Sequence, residues 1–94
     1  MDRADLRQAR RENAYALFEL RNEFGPGVLE WDHYKESLAV YDQLMAGRWP
    51  TVVANLRAEL EKLEEGTDEY EALDDLINEI EYIEEQAEEE DRNW

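Results

Sequence analysis

The sequence predicts an all-α fold: a small three- to four-helix domain with a C-terminal antiparallel helical hairpin. Three observations carry this expectation. Apolar residues recur at helical spacing through four segments, glycines mark the three breaks between them, and no stretch alternates with the period of a half-buried strand. Residues 1–94 therefore read as one helical domain, with helices expected at about 2–24, 32–46, 51–65 and 68–90.

In the first segment Leu6, Ala9, Ala16, Leu17, Leu20 and Phe24 keep helical spacing. Gly25-Pro26-Gly27 ends it, since glycine caps a helix terminus and proline cannot continue one. Asp32 is the expected N-cap of the second helix, whose stripe reads Trp31, Tyr34, Leu38, Tyr41 and Met45. That stripe lies either inside the monomer or at a homodimer seam formed by Trp31, Tyr34, Leu38 and Tyr41. Gly47 supplies the next C-cap, and Trp49-Pro50-Thr51 opens the third helix, proline being tolerated in a first turn. Val53, Leu56, Leu60 and Leu63 form its apolar stripe. Gly66-Thr67-Asp68 makes a tight turn, with Thr67 or Asp68 as the following cap. Leu73, Leu76, Ile77, Ile80, Ile83 and Ala87 give the last helix its inner face. The short link between the last two amphipathic segments implies an antiparallel hairpin.

Charge divides the chain unevenly. From Glu59 to Trp94 there are 17 carboxylates against two cations, which accounts for −15 of the net −16. A field of one sign bears on partners and solubility rather than on fold. It repels nucleic acid and anionic membrane, and it attracts basic protein surfaces. At 43% hydrophobic and 11% aromatic the chain has material for a core, so wholesale disorder is not expected. The absence of cysteine excludes disulfides and thiolate metal sites. No apolar run approaches the ~20 residues of a membrane span, and the first residues lack the apolar core of a secretory signal. The expectation is a soluble protein of the cytoplasm.

Setting Leu73, Ile77 and Ile80 inward turns Glu71, Asp75, Asn78, Tyr82, Glu85 and Glu89 outward. Asp74 and Glu81 lie on one flank, Glu79 and Glu90 on the other. Between Asp68 and Asp91, 13 carboxylates occupy 24 residues, about 36 Å of axis at ~1.5 Å per residue. That is one charge per roughly 2.8 Å, against one per ~1.7 Å for duplex DNA counting both strands. Like charges at i and i+4 cost a few tenths of a kcal/mol each, and the late acids also oppose the helix dipole. A helix costly on both counts points to a working surface. Two plainer readings stand beside it: a solvated face, in part neutralised by Arg3, Arg7, Arg10 and Arg11, or adaptation to high salt. The second of these predicts acids spread over the whole surface, yet residues 1–58 carry only −1.

Catalytic chemistry has little to draw on. The chain has a single histidine and a single serine, His33 and Ser37, and no Gly-rich phosphate loop. Glu30-Trp31-Asp32-His33 has the Glu-x-x-His spacing of di-iron carboxylate bundles. Such sites need two of these motifs plus further glutamates, so His33 is expected to be a solvent-exposed residue at a helix start. No enzyme activity, cofactor or metal is expected, and Arg3, Arg7, Arg10 and Arg11 on so acidic a chain make a poor nucleic-acid binder.

Small size, helical pattern, absence of cysteine and the carboxylate-dense stretch 59–91 together resemble the acidic nucleic-acid mimics made by bacteriophages, among them anti-restriction and anti-CRISPR proteins. The likeness is one of composition. It implies a non-enzymatic inhibitor acting in a host cytoplasm, whose partner is the basic surface of a nucleic-acid-binding protein. Glu71, Asp74, Asp75, Glu79, Glu81, Tyr82, Glu85 and Glu89 would then be the binding face. The alternative is a structural or assembly module that oligomerises, or acts as an adaptor, through Trp31, Tyr34, Leu38 and Tyr41.

Overall fold

The computed structural model describes residues 2–25 and 30–92, without the side chains of 91 and 92. Four helices follow in order: α1 (Arg3–Phe24), α2 (Glu30–Met45), α3 (Trp49–Leu60) and α4 (Asp68–Arg92). No strand occurs among the described residues. Each helix packs on its sequence neighbour, and α4 closes the ring against α1. Cross-helix pairs, with the short link 46–48 between α2 and α3, set the directions. Arg10 meets Glu84, Asn22 meets His33, Arg21 meets Glu36 and Glu59, and Trp49 meets Glu88. All four adjacent pairs are therefore antiparallel, an up-down-up-down bundle in which the α3–α4 hairpin is one half. Within the described residues α1 and α3, like α2 and α4, sit on diagonals without close backbone approach.

Helix ends follow local chemistry. Asp2 caps α1, its carboxylate accepting from the Asp5 amide at 2.8 Å. At the other end the Gly25 amide donates to the Arg21 carbonyl at 2.8 Å, while Pro26 and Gly27 lie outside the described residues. Asp32, expected to cap α2, lies inside its first turn, because the helix is already under way at Glu30. An acid there still complements the helix dipole. Gly47 and Gly66 adopt φ of 76° and 86°, left-handed conformations that a Cβ would strain. Thr67 caps α4, its hydroxyl accepting from the Tyr70 amide at 3.2 Å. α3 stops at Leu60, short of the expected residue 65. The Lys62 and Leu63 amides bond back three residues, to Glu59 and Leu60, and this tighter turn carries half-buried Leu63 onto the core.

The core joins Leu17, Leu20, Leu44, Val52, Val53, Leu56, Leu60, Leu73, Leu76, Ile77 and Ile80. Helix α4 buries the stripe its periodicity predicts. Helix α2 does not bury the stripe of larger apolar side chains: Trp31, Tyr34 and Leu38 are 60%, 46% and 45% exposed. Its inward face is instead His33, Ser37 and Leu44, with Val40 partly covered. Two stripes of helical spacing compete on this helix, and the one carrying Val40 and Leu44 faces α1 and α3 at once. Leu44→Ala is expected to cost about 2–5 kcal/mol in urea unfolding, and Leu38→Ala to stay within about 0.5 kcal/mol. Equal effects at the two positions would contradict the orientation of α2.

Candidate functional site

The acidic face forms because α4 sinks one stripe and leaves the opposite one in water. Glu71, Asp75, Asn78, Glu79, Tyr82, Glu85 and Glu89 are exposed along it. From Glu71 to Glu89 the ridge runs about 27 Å at ~1.5 Å per residue. Tyr82 stands in its middle at 59% exposure, an aromatic platform among carboxylates. Asp74 and Glu81 lie on the flank, half-buried. Glu81 is held by Arg57 of α3, so it knits the hairpin together as well as edging the ridge.

Three of the protein's arginines, Arg10, Arg21 and Arg57, hold acids outside the outermost row of the ridge. Arg10 grips Glu84 through two bonds, Nη2 to Oε1 at 2.6 Å and Nε to Oε2 at 2.9 Å. Glu84 is 1% exposed and is the carboxylate that ties α4 to α1. Arg21 bridges three helices, with Nη2 2.9 Å from Glu36 Oε1 and Nη1 2.6 Å from Glu59 Oε2. Burial alone would push the Arg21 pKa down. The hydrogen bonds and charges of Glu36 and Glu59 outweigh this and raise it above the ordinary value, so the guanidinium stays charged. Among the described residues, no ion pair engages Glu71, Asp75, Glu79, Glu85 or Glu89. The outer row of the ridge is thus gathered on one side of α4 and not neutralised by the bundle, whereas Glu81 on its flank is paired with Arg57.

The structure also adds acids that the periodicity of α4 could not supply. A groove of about 430 Å³ between α1 and α4 places Glu19 and Glu23 opposite Asp75 and Glu79, over Leu20, Phe24 and Leu76. Four carboxylates from two helices therefore border one groove, which widens the ridge toward α1. Glu19 and Glu23 are four apart on α1, but that spacing does not place them beside α4, which only the bundle does. Asn13 lines the same groove, buried, with Nδ2 lacking a hydrogen-bond partner.

A second surface lies on α1 and α2. Tyr15, Phe18, Tyr34 and Trp31 form a ladder with ring centroids 5.8, 6.3 and 5.7 Å apart, and Lys35 Nζ sits 5.4 Å from the Trp31 ring. Beside it an apolar groove of about 550 Å³ is lined by Ala14, Tyr15, Phe18, Tyr34, Leu38 and half-buried Tyr41. Trp31, Tyr34, Leu38 and Tyr41 thus share one outward face, to which α1 contributes the unforeseen Tyr15 and Phe18. Trp94 lies outside the described residues.

His33 is not the exposed helix-start residue expected from the sequence. It is buried, with Nδ1 hydrogen-bonded to Asn22 Oδ1 at 2.6 Å, while Glu30 is exposed. The pair spans the α1–α2 contact, which sequence spacing within α2 does not reveal. No group of three or more His, Cys, Asp or Glu is placed to hold a metal ion among the described residues. None of the described helices is long and apolar enough to cross a membrane. The chain matches no protein-family model, no curated protein and no solved structure. Glu84→Ala, which removes the buried carboxylate that Arg10 grips, is expected to cost about 3–5 kcal/mol in denaturant unfolding. Glu85→Ala, one residue further on and exposed, is expected to change stability by less than about 0.5 kcal/mol. A mild effect at Glu84 would show that the pair does not anchor α4.

Proposed function

We propose that the chain is a non-enzymatic binding protein that presents the α4 ridge to a basic, nucleic-acid-binding cleft and competes there with phosphates. The phage anti-CRISPR and anti-restriction mimics are the functional class it would join. The single observation that carries this reading is the set of exposed carboxylates Glu71, Asp75, Glu79, Glu85 and Glu89, which no ion pair engages among the described residues while Arg10, Arg21 and Arg57 bind other acids.

Mechanistically, lysine and arginine side chains that normally hold phosphates would pair with this array. Arginine could do so through two parallel bonds to one carboxylate. The one-signed field would speed encounter, and the binding would weaken as salt screens it. Tyr82 supplies apolar contact at the centre of the ridge, where anchors contribute most to an interface. Glu19 and Glu23 would extend the contact toward α1.

The test is competition. Immobilised chain should retain nucleic-acid-binding proteins from nuclease-treated lysate at low salt, and release them on adding either DNA or RNA, or salt. Neutralising Glu71, Asp75, Glu85 and Glu89 to their amides should weaken that capture at least about tenfold, while helicity by circular dichroism is unchanged. Capture that survives neutralisation, or that coexists with bound nucleic acid, would sink the proposal.

A further inference from the structure

We infer that the α1–α2 face is a self-association surface, at which two copies of this chain meet to form a symmetric dimer. Six large hydrophobic side chains are conspicuously exposed among the described residues, and five of them lie on α1 or α2: Tyr15, Trp31, Tyr34, Leu38 and Met45. Apolar surface gathered into one continuous patch on a small domain marks an interaction site, whereas scattered exposure does not. The aromatic ladder makes this patch continuous, since it crosses from α1 to α2 without a gap in ring contact.

Size agrees with a weak dimer interface. Helix α2 has 16 residues, about 24 Å at ~1.5 Å per residue, and two packed helices present a face about 20 Å wide. That outline is roughly 480 Å² in projection, below the ~800 Å² per partner of a standard interface and in the range of a weak, concentration-dependent dimer. The three exposed aromatics alone supply roughly 300 Å² of it, at about 200 Å² per ring-bearing side chain.

Charge decides which occupant fits. A second copy also carries −16, so it is repelled by almost every part of the first. Residues 1–58 carry only −1, and the α1–α2 face belongs to that half. Helix α4 lies one layer behind it, so in a face-to-face pair the two acidic ridges are separated by roughly 25–30 Å at 8–10 Å per layer. That is about three Debye lengths at physiological salt, and the repulsion is screened. A cationic stranger would be drawn to α4, not here. An aromatic face meeting its own copy across a two-fold axis needs no charge partner. Arg11 is the charged side chain that borders the groove, and being exposed it remains solvated at the rim. Ser37 lines the groove with its hydroxyl buried and without a hydrogen-bond partner.

This inference stands apart from the role of the acidic ridge, and salt separates the two. Sedimentation equilibrium of the full chain, from about 1 to about 200 µM, should show the mass rise from 11.2 kDa toward twice that value. Raising salt from about 0.05 to about 0.5 M should strengthen the association, because residual repulsion is screened. Leu38→Glu and the double variant Trp31→Ala with Tyr34→Ala change exposed positions. Each should keep its helicity and weaken association at least about tenfold. Glu85→Gln with Glu89→Gln should leave it unchanged or stronger. A chain that stays at 11.2 kDa throughout, or a Leu38→Glu variant that dimerises like the parent, would overturn the inference. So would association that weakens with salt and is lost in the Glu85/Glu89 variant. That outcome would indicate head-to-tail contact between the arginines of α1 and the ridge.

Discussion

The bundle rests on how α4 is held. A helix with 13 carboxylates in 24 residues works against itself, since at least five like-charged pairs stand at i and i+4. At a few tenths of a kcal/mol each, these pairs cost on the order of 1–2 kcal/mol. Leu73, Ile77 and Ile80, all at 1% exposure or less, each contribute about 1.5–3 kcal/mol by leaving water. The apolar stripe therefore wins with a margin that lets the opposite side carry almost any charge. Ionic anchors then fix the register: Arg10 on Glu84 from α1, and Arg57 on Glu81 from α3. They remove two acids from the helix's self-repulsion and leave the outer row alone.

This arrangement separates two kinds of surface on a very small body. One layer, α3–α4, presents a long anionic ridge whose attraction reaches several ångströms into solvent and falls with salt. The other, α1–α2, presents aromatic rings and little net charge, so its association would depend on contact and not on field. A dimer joined through α1–α2 would display two ridges on its outer sides, which favours a bivalent or extended basic target. The near-neutral half would then have a purpose of its own.

Much of this organisation was legible from residue order. The left-handed glycines Gly47 and Gly66, the Thr67 cap and the buried stripe of α4 all stand where turn chemistry and periodicity place them. The orientation of α2 was not. Trp31, Tyr34, Leu38 and Tyr41 carry more apolar surface than His33, Ser37, Val40 and Leu44, so hydrophobicity alone selects the wrong inner face. Which stripe turns inward depends on where α1 and α3 stand, information that no single helix contains. Glu84 was hidden among neighbouring acids, although its position repeats the stripe of Leu73, Ile77 and Ile80 at the next 4-3-4 step. On α1, Arg10 sits seven residues before Leu17, on that helix's own inward stripe. An acid and an arginine, each at a core register position on different helices, are a readable sign of a buried pair. The groove acids Glu19 and Glu23 had no such sign, because their closeness to Asp75 and Glu79 is purely tertiary.

The central claim is that the unpaired carboxylates of α4 form one surface available to cations. Amide chemical-shift mapping with a short oligo-arginine peptide tests it most directly, without knowledge of the natural partner. The account predicts perturbations that follow residues 71–89 on α4 and reach Glu19 and Glu23 across the groove, and that fade with added salt. Shifts scattered evenly over all four helices, or centred on α2, would contradict it.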